Sequence, residues 1–398
     1  MLLQNSIHLG YCTNIHRGEN WAETFAGLRD YTLRVKERVS PDSPYGIGLR
    51  LSADAARELQ DKETMLAFQR WLEKNDSYVF TINGFPYGKF HGTRVKEQVY
   101  VPDWTQKDRL DYTNLLFDVL AELLPTGMPD LEGSVSTLPG SFKEFIDFNS
   151  EPVQRAEIIA NLKACTKHIE KVEKRSGRKF HLGLEPEPLG YFETSTETVR
   201  FFEQLLVDTG TDEADAIRQR VGVNYDTCHL AIEYENAADA LARLSDADIR
   251  ISKLHLSSAL KLKPTPDALT RLHDFQDDVY LHQVVIRDAD PALELRRYRD
   301  LPETFAMVKD NPTALGEEWR VHFHVPIHAQ PELLFGDTRD HIEDTLDVLK
   351  DNPALCSHME METYTWEVLP QNLHSPSVVD QLEREYHWCL AALKKRGF

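Results

Sequence analysis

Eight short runs rich in Val, Ile, Leu and Tyr, separated by long stretches with apolar residues at helical spacing, constrain this chain more than any other feature. The runs are Ile7 to Thr13, Gly46 to Ser52, Tyr78 to Asn83, Gly133 to Thr137, Phe180 to Glu185, Val221 to Asp226, Ile249 to Leu256 and Leu355 to Glu362. The helical stretches include Trp21 to Val39, Ala53 to Asn75, Thr105 to Leu124, Glu151 to Arg175, Thr196 to Leu206, Ala237 to Leu244 and Arg339 to Lys350. Parallel strands need a long crossover, and a helix packed on the sheet supplies it, so the alternation predicts stacked β/α units. Ser52, Thr194 and Thr338 stand where a hydroxyl caps a first helical turn. Eight units predict a single (β/α)8 TIM barrel spanning residues 1–398. An open doubly wound sheet gives the same local pattern, but no G-x-G-x-x-G follows the first run.

One region breaks the rhythm. From Ser257 to Asp337 the sequence shows no simple helix but two strand-like runs rich in His, Val279 to Arg287 and Trp319 to Ile327. These predict a long insertion after the seventh strand, an antiparallel pair joined by the charged linker Asp288 to Asp310. Placed there, it lies over the catalytic end of the barrel as a lid. A different count makes Trp319 to Ile327 a barrel strand and demotes an earlier one.

Composition narrows the partners. With 45 Lys and Arg against 65 Asp and Glu the 398-residue chain carries a net charge of −20, which disfavours nucleic acid and anionic lipid. Its five cysteines, Cys12, Cys165, Cys228, Cys356 and Cys389, form no C-x-x-C pair, which fits a reducing cytoplasm. No stretch reaches the ~20 apolar residues of a membrane span, and no signal-peptide pattern opens the chain. The oligomeric state is not legible.

In a parallel barrel the reactive groups sit at the carboxyl ends of strands. The fifth run ends in Glu185-Pro186-Glu187-Pro188, the sixth in Asp226-Thr227-Cys228-His229, the seventh in His255 and the last in Glu360-Met361-Glu362. Carboxylates gathered at one mouth repel each other, and a divalent cation such as Mn²⁺, Zn²⁺ or Mg²⁺ removes that conflict. An Asp directly after a strand also serves as a helix N-cap, so no one of these residues is decisive. Glu360 and Glu362 share a strand face, and the latter is nearer the carboxyl end. Asn14, Thr13 and His16 after the first strand, with Asn83, Phe85, Tyr87 and His91 after the third, are expected on the opposite wall.

The order Glu185, Asp226-x-x-His229, His255 and a last-strand glutamate resembles the ligand order of the xylose isomerase-like TIM-barrel superfamily, which includes sugar isomerases, ketose epimerases and endonuclease IV-type phosphodiesterases. Tyr11 to His16, Asn83 to Gly88, Glu185 to Pro188 and Glu362 to Trp366 resemble the EboE "metabolite traffic" proteins of that superfamily. The resemblance implies one metal on Glu185, Asp226, His255 and Glu362. It implies Glu185 and Glu362 as acid and base, with His229 assisting catalysis and substrate binding, and a helper glutamate at Glu187 or Glu193. Asn14, His16, Asn83, Glu187, His324 and Trp366 are the expected substrate contacts, with Phe85 and Tyr191 as further stacking surfaces. His322 and His324 share one face of their run, with His328 beyond them, and the endonuclease IV branch draws extra zinc ligands from a comparable place. A second metal on His229, His322 and His324 is therefore an expectation too, as is a polar lid without one.

Three functions follow as expectations. The first is a metal-dependent isomerase or epimerase of a free or phosphorylated sugar or cyclitol, working by proton transfer through an enediolate. The second is a zinc-dependent phosphoesterase acting on a small substrate. The third is a metabolite-binding protein without turnover.

Overall fold

The computed structural model describes residues 1–290, 292–329 and 334–398. Its strands in chain order are β1 (His8–Tyr11), β2 (Tyr45–Arg50), β3 (Ser77–Asn83), β4 (Gly133–Thr137), β5 (Phe180–Leu184), β6 (Val221–Asp226), β7 (Ile251–Leu256), β8 (Ala259–Leu262), β9 (Val284–Arg287), β10 (Arg296–Tyr298), β11 (Glu318–His324), β12 (Gly336–Asp337) and β13 (His358–Met361). Eight of them form one parallel sheet in the order β1-β13-β7-β6-β5-β4-β3-β2. A single parallel bridge, Cys12 to Gly48, joins β1 to β2 and brings the ends together into a nearly closed (β/α)8 barrel. The eight expected strands are these eight. The stretch Trp319 to Ile327 does not replace one of them.

Amphipathic helices cover the barrel and bury their apolar stripes on it. In Lys107–Leu123, Leu116, Phe117 and Leu120 are fully buried, as are Leu162, Cys165 and Ile169 in Glu151–Ser176. Ser52 and Thr194 cap their helices by accepting from the backbone N–H groups of Ala55 and Glu197. Thr338 does not cap; its hydroxyl accepts from Ala259 N–H and ties the next helix to β8. The expected helix Ala53 to Asn75 is two, Ala53–Leu59 and Lys62–Lys74, because Asp61 caps a fresh first turn through Thr64 N–H.

Between residues 257 and 337 the described residues form a second, five-stranded antiparallel sheet in the order β10-β9-β11-β8-β12. The expected pair is present as β9 against β11, with Trp319 opposite Ile286 and Val321 opposite Val284. Two helices, Pro266–Leu272 and Leu301–Asp310, occupy a region expected to have none, and the expected linker contains β10. Leu260, Leu272, Ile286, Leu301, Trp319 and Phe323 give this sheet a small apolar core of its own. Because strand side chains alternate, packing Trp319, Val321 and Phe323 into that core turns His322 and His324 the other way. No helix among the described residues is long and apolar enough to cross a membrane.

Candidate functional site

Four neighbouring barrel strands deliver one donor each to a single point. Glu185 follows β5, Asp226 ends β6, His255 lies on β7 and Glu362 follows β13; all four are buried, with one donor atom from each within 4.8 Å of the others. His255 Nδ1 lies 3.1 Å from Glu185 Oε1, 3.1 Å from Glu362 Oε2 and 3.5 Å from Asp226 Oδ2.

The chain's own bonds aim these groups. Asp226 Oδ1 caps the helix Thr227–Ile232 by accepting from the N–H groups of Cys228 and His229 at 2.7 and 3.1 Å, and from the Ser257 hydroxyl at 2.5 Å. Its Oδ2 is buried with no hydrogen-bond partner. Asn14 and Asn83 donate to Glu362 Oε1 at 2.8 and 3.1 Å, leaving Oε2 for the cluster. Burial opposes charge on Asp226, yet His229, His255 and His324 hold its carboxyl well below the usual range. Burial likewise works against a charged His255, but Glu362 and Glu185 raise it well above an ordinary imidazole. Three carboxylates, one imidazole and an orphaned carboxylate oxygen aimed among them fit a divalent cation.

Beside this cluster sit three more imidazoles. His229 Nδ1 donates to Pro186 O at 3.2 Å, His324 Nδ1 to Glu362 O at 2.9 Å, and His322 Nδ1 to Gln283 Oε1 at 2.8 Å. A carbonyl only accepts, so in each ring Nδ1 carries the proton. The Nε2 atoms then turn toward one another, His322 lying 3.1 Å from His229 and 3.3 Å from His324. Burial lowers His229 to about 4 and His322 well below its usual value. Facing lone pairs at that distance repel unless a proton or a cation lies between them.

A cavity opens onto both clusters. Glu185, Glu187, His229, His322, Glu362, Asn14 and Asn83 are among its polar lining, and Phe85, Phe90, Tyr100, Tyr280 and Tyr364 among its aromatic groups. Glu187 Oε1 has no hydrogen-bond partner. Burial, then the Glu185 charge, pushes Glu187 well above the carboxylate range. Lys96 is the one cationic side chain lining the cavity among the described residues. Its Nζ is engaged by Asp277 O at 3.0 Å, Tyr280 O at 2.6 Å and Asp300 Oδ2 at 2.7 Å.

Several expected contacts lie elsewhere. His16 bonds the Tyr11 hydroxyl at 2.8 Å and stacks on Tyr31, away from the cavity. Trp366 packs into apolar cores against His374, and Tyr191 bonds Glu151. His328 is half-buried and outside both clusters. Glu193 pairs with Lys143 and Arg297 at 2.8 and 2.7 Å, so Glu187 is the glutamate in the cavity. His91 works indirectly, bridging Asn14 O at 2.5 Å and the Tyr280 hydroxyl at 2.7 Å. Glu360 lies one layer deeper, accepting from His255 Nε2 at 3.2 Å and from Lys253. The expectations did not include Lys253, Tyr280, Tyr364 or Gln283; the β-strand period of Lys253-Leu254-His255 is the signal that points Lys253 inward.

No protein-family model matches the chain, and no curated protein matches it. Among solved structures it is similar to an IolI protein with a binding zinc atom (TM-score 0.49, 11% identity, 98% of this chain and 99% of that one). It is also similar to a xylose isomerase domain protein from Alicyclobacillus acidocaldarius subsp. acidocaldarius (0.48, 11%, 98% and 99%). A third is a D-psicose 3-epimerase with D-tagatose from Clostridium cellulolyticum H10 (0.47, 12%, 98% and 99%).

Proposed function

We propose that this chain is a divalent-metal-dependent isomerase or epimerase acting on a small sugar or cyclitol. The observation that carries the reading is the convergence of Glu185, Asp226, His255 and Glu362 on one point beside a cavity with a polar floor and aromatic walls. Glu185, Asp226, His255 and Glu362 would hold a divalent cation, which would supply Lewis acidity to a bound carbonyl substrate. Glu185 or Glu362 takes the proton from the carbon alpha to the carbonyl, and the other returns one to the opposite face of the planar enediolate. Glu187, its Oε1 unpartnered in the cavity, hydrogen-bonds a substrate hydroxyl, and Tyr100, Tyr280 and Tyr364 cover a ring face. With Lys96 committed to three protein oxygens, an unphosphorylated substrate suits the cavity. The EboE resemblance belongs to this proposal, as do a lid role for residues 257–337 and a cytoplasmic setting, which the five free, buried cysteines suit.

A second reading has its own support in the three Nδ1-anchored imidazoles. These rings meet in pairs beside a further donor that could complete a second cation site, His322 and His324 with Cys228, His229 and His322 with Glu187, and His229 and His324 with Asp226, which would suit a zinc-dependent phosphoesterase. The metal-loaded protein, incubated with ketoses and inositol ketones in deuterated water, is expected to place deuterium on the carbon alpha to the carbonyl. Glu185→Gln and Glu362→Gln should each lower kcat/KM by at least ~10². Zn²⁺-dependent hydrolysis of phosphate esters without carbon-bound label would favour the second reading, and tight substrate binding without turnover would favour a carrier.

A further inference from the structure

Directly beneath His255 lies an ion pair fully removed from solvent. Lys253, two residues earlier on β7, and Glu360, the register partner of His255 on β13, are both 0% exposed. Glu360 Oε2 accepts from Lys253 Nζ and from His255 Nε2, the latter at 3.2 Å, and Lys253 also donates to Ser136 Oγ at 2.9 Å. The barrel makes room for this carboxylate at one position: a Cβ on Gly48 of β2 would fall 1.7 Å from Glu360 Oε1. A buried ion pair often gives no more stability than an apolar pair of the same volume, so stability alone does not single these two out.

Their geometry does something an apolar pair cannot. A carboxylate held against Lys253 only accepts, so the nitrogen of His255 facing it carries the ring proton. The remaining nitrogen, Nδ1, faces Glu185, Asp226 and Glu362 at 3.1, 3.5 and 3.1 Å, and it is the one whose proton a cation bound there would replace. We propose that Glu360, with Lys253 as its counter-ion, is a positioning residue that fixes which nitrogen of His255 faces the three carboxylates and thereby sets the affinity of the site for a divalent cation. The inference rests on the metal reading above. Neither Glu360 nor Lys253 lines the substrate cavity.

Two double variants isolate the His255 hydrogen bond. Lys253→Met with Glu360→Gln removes both charges but keeps an oxygen for Nε2–H; Lys253→Met with Glu360→Leu removes the acceptor as well. Zn²⁺ and Mn²⁺ affinity is measured by competition with a chelator, alongside the Co²⁺ absorption spectrum and thermal melts of the metal-free proteins. The Leu form is expected to bind 10- to 100-fold more weakly than the Gln form and to show an altered Co²⁺ spectrum, while the metal-free melting temperatures stay close. Equal affinities and spectra would overturn the proposal. A structure of the Zn²⁺-loaded parent protein tests the same point without a variant: Nδ1 of His255 as ligand supports it, and Nε2 as ligand refutes it. A parent protein that takes up none of the three metals overturns the metal reading and this inference with it, whereas a parent that binds while the two variants do not differ overturns this inference alone.

Discussion

Asp226 divides its carboxylate between two duties, and its variants should separate them. Oδ1 caps the helix that carries His229, and Oδ2 is left unpartnered toward the cluster. Asn is as good an N-cap as Asp, so Asp226→Asn is expected to keep the metal-free melting temperature near that of the parent while lowering divalent-metal affinity at least tenfold. Asp226→Ala should lose the affinity and, in addition, about 1 kcal/mol of stability. Calorimetric melts in chelator, paired with metal titrations, check both. Glu385 offers a different test. Burial pushes it up to about 8, against the opposing hydrogen bonds from the Thr363 hydroxyl and the Ile327 N–H. Between the ordinary carboxylate pKa and 8 the folded chain holds a proton that the unfolded chain has released, so stability falls as pH rises through that window and levels off above it. Glu385→Gln imitates the protonated form. It should flatten the fall between pH 5 and 8 and raise the melting temperature at pH 9 by a few degrees.

At the scale of elements, the insertion is attached to the barrel rim at defined points. The segment after β3 meets it at Val279, whose carbonyl accepts from Val95 and Lys96 N–H at 2.9 and 2.8 Å, and through the Lys96 ammonium with Asp300, Asp277 and Tyr280. If residues 257–337 act as a lid, Lys96→Met should speed amide exchange around residues 277–300 while leaving β4 to β7 as slow as before; hydrogen exchange with mass spectrometry reads both. Unchanged exchange around 277–300 would count against this clasp. The barrel strands were legible because apolar runs bounded by polar helices have one arrangement that buries them all. Inside the insertion that signal fades. Pro266–Leu272 is seven residues long, and β10 and β12 are three and two residues long, too short for a period to show. The helix Thr227–Ile232 was hidden for another reason: all six residues are buried, so it has no polar face. The period of two in Trp319 to His324 was the exception, and it correctly sets His322 and His324 on one face.

Over the whole molecule, the parallel barrel made the candidate cluster readable, because its topology sends every strand's carboxyl end to one mouth whatever the details of the loops. Height along the barrel axis is a different matter. Glu360 and Glu362 point inward alike, and only the packing of His255 between them separates the deeper from the shallower one. His16 and Trp366 follow strand ends too, yet turn into ring contacts with Tyr31 and His374 that no spacing rule encodes. The chain as a whole carries −20 and buries several of those acids at one point, so the metal-free protein folds against electrostatic repulsion. Binding a cation to the folded state alone stabilises it by mass action, about 2.7 kcal/mol at a hundredfold excess over Kd. Melting temperature should therefore rise with Zn²⁺ or Mn²⁺ concentration and fall back on adding chelator. The donors must be unprotonated to bind, and without the cation His255 holds its proton against Glu185 and Glu362. Uptake near neutral pH should release a proton, so the thermal shift at fixed metal concentration should shrink as pH falls from 7 to 5. Calorimetric titrations in buffers of different ionisation enthalpy count that proton directly. A melting temperature indifferent to metal and chelator across this range would remove the cation from the site and return the cluster to a buried network built around a charged His255.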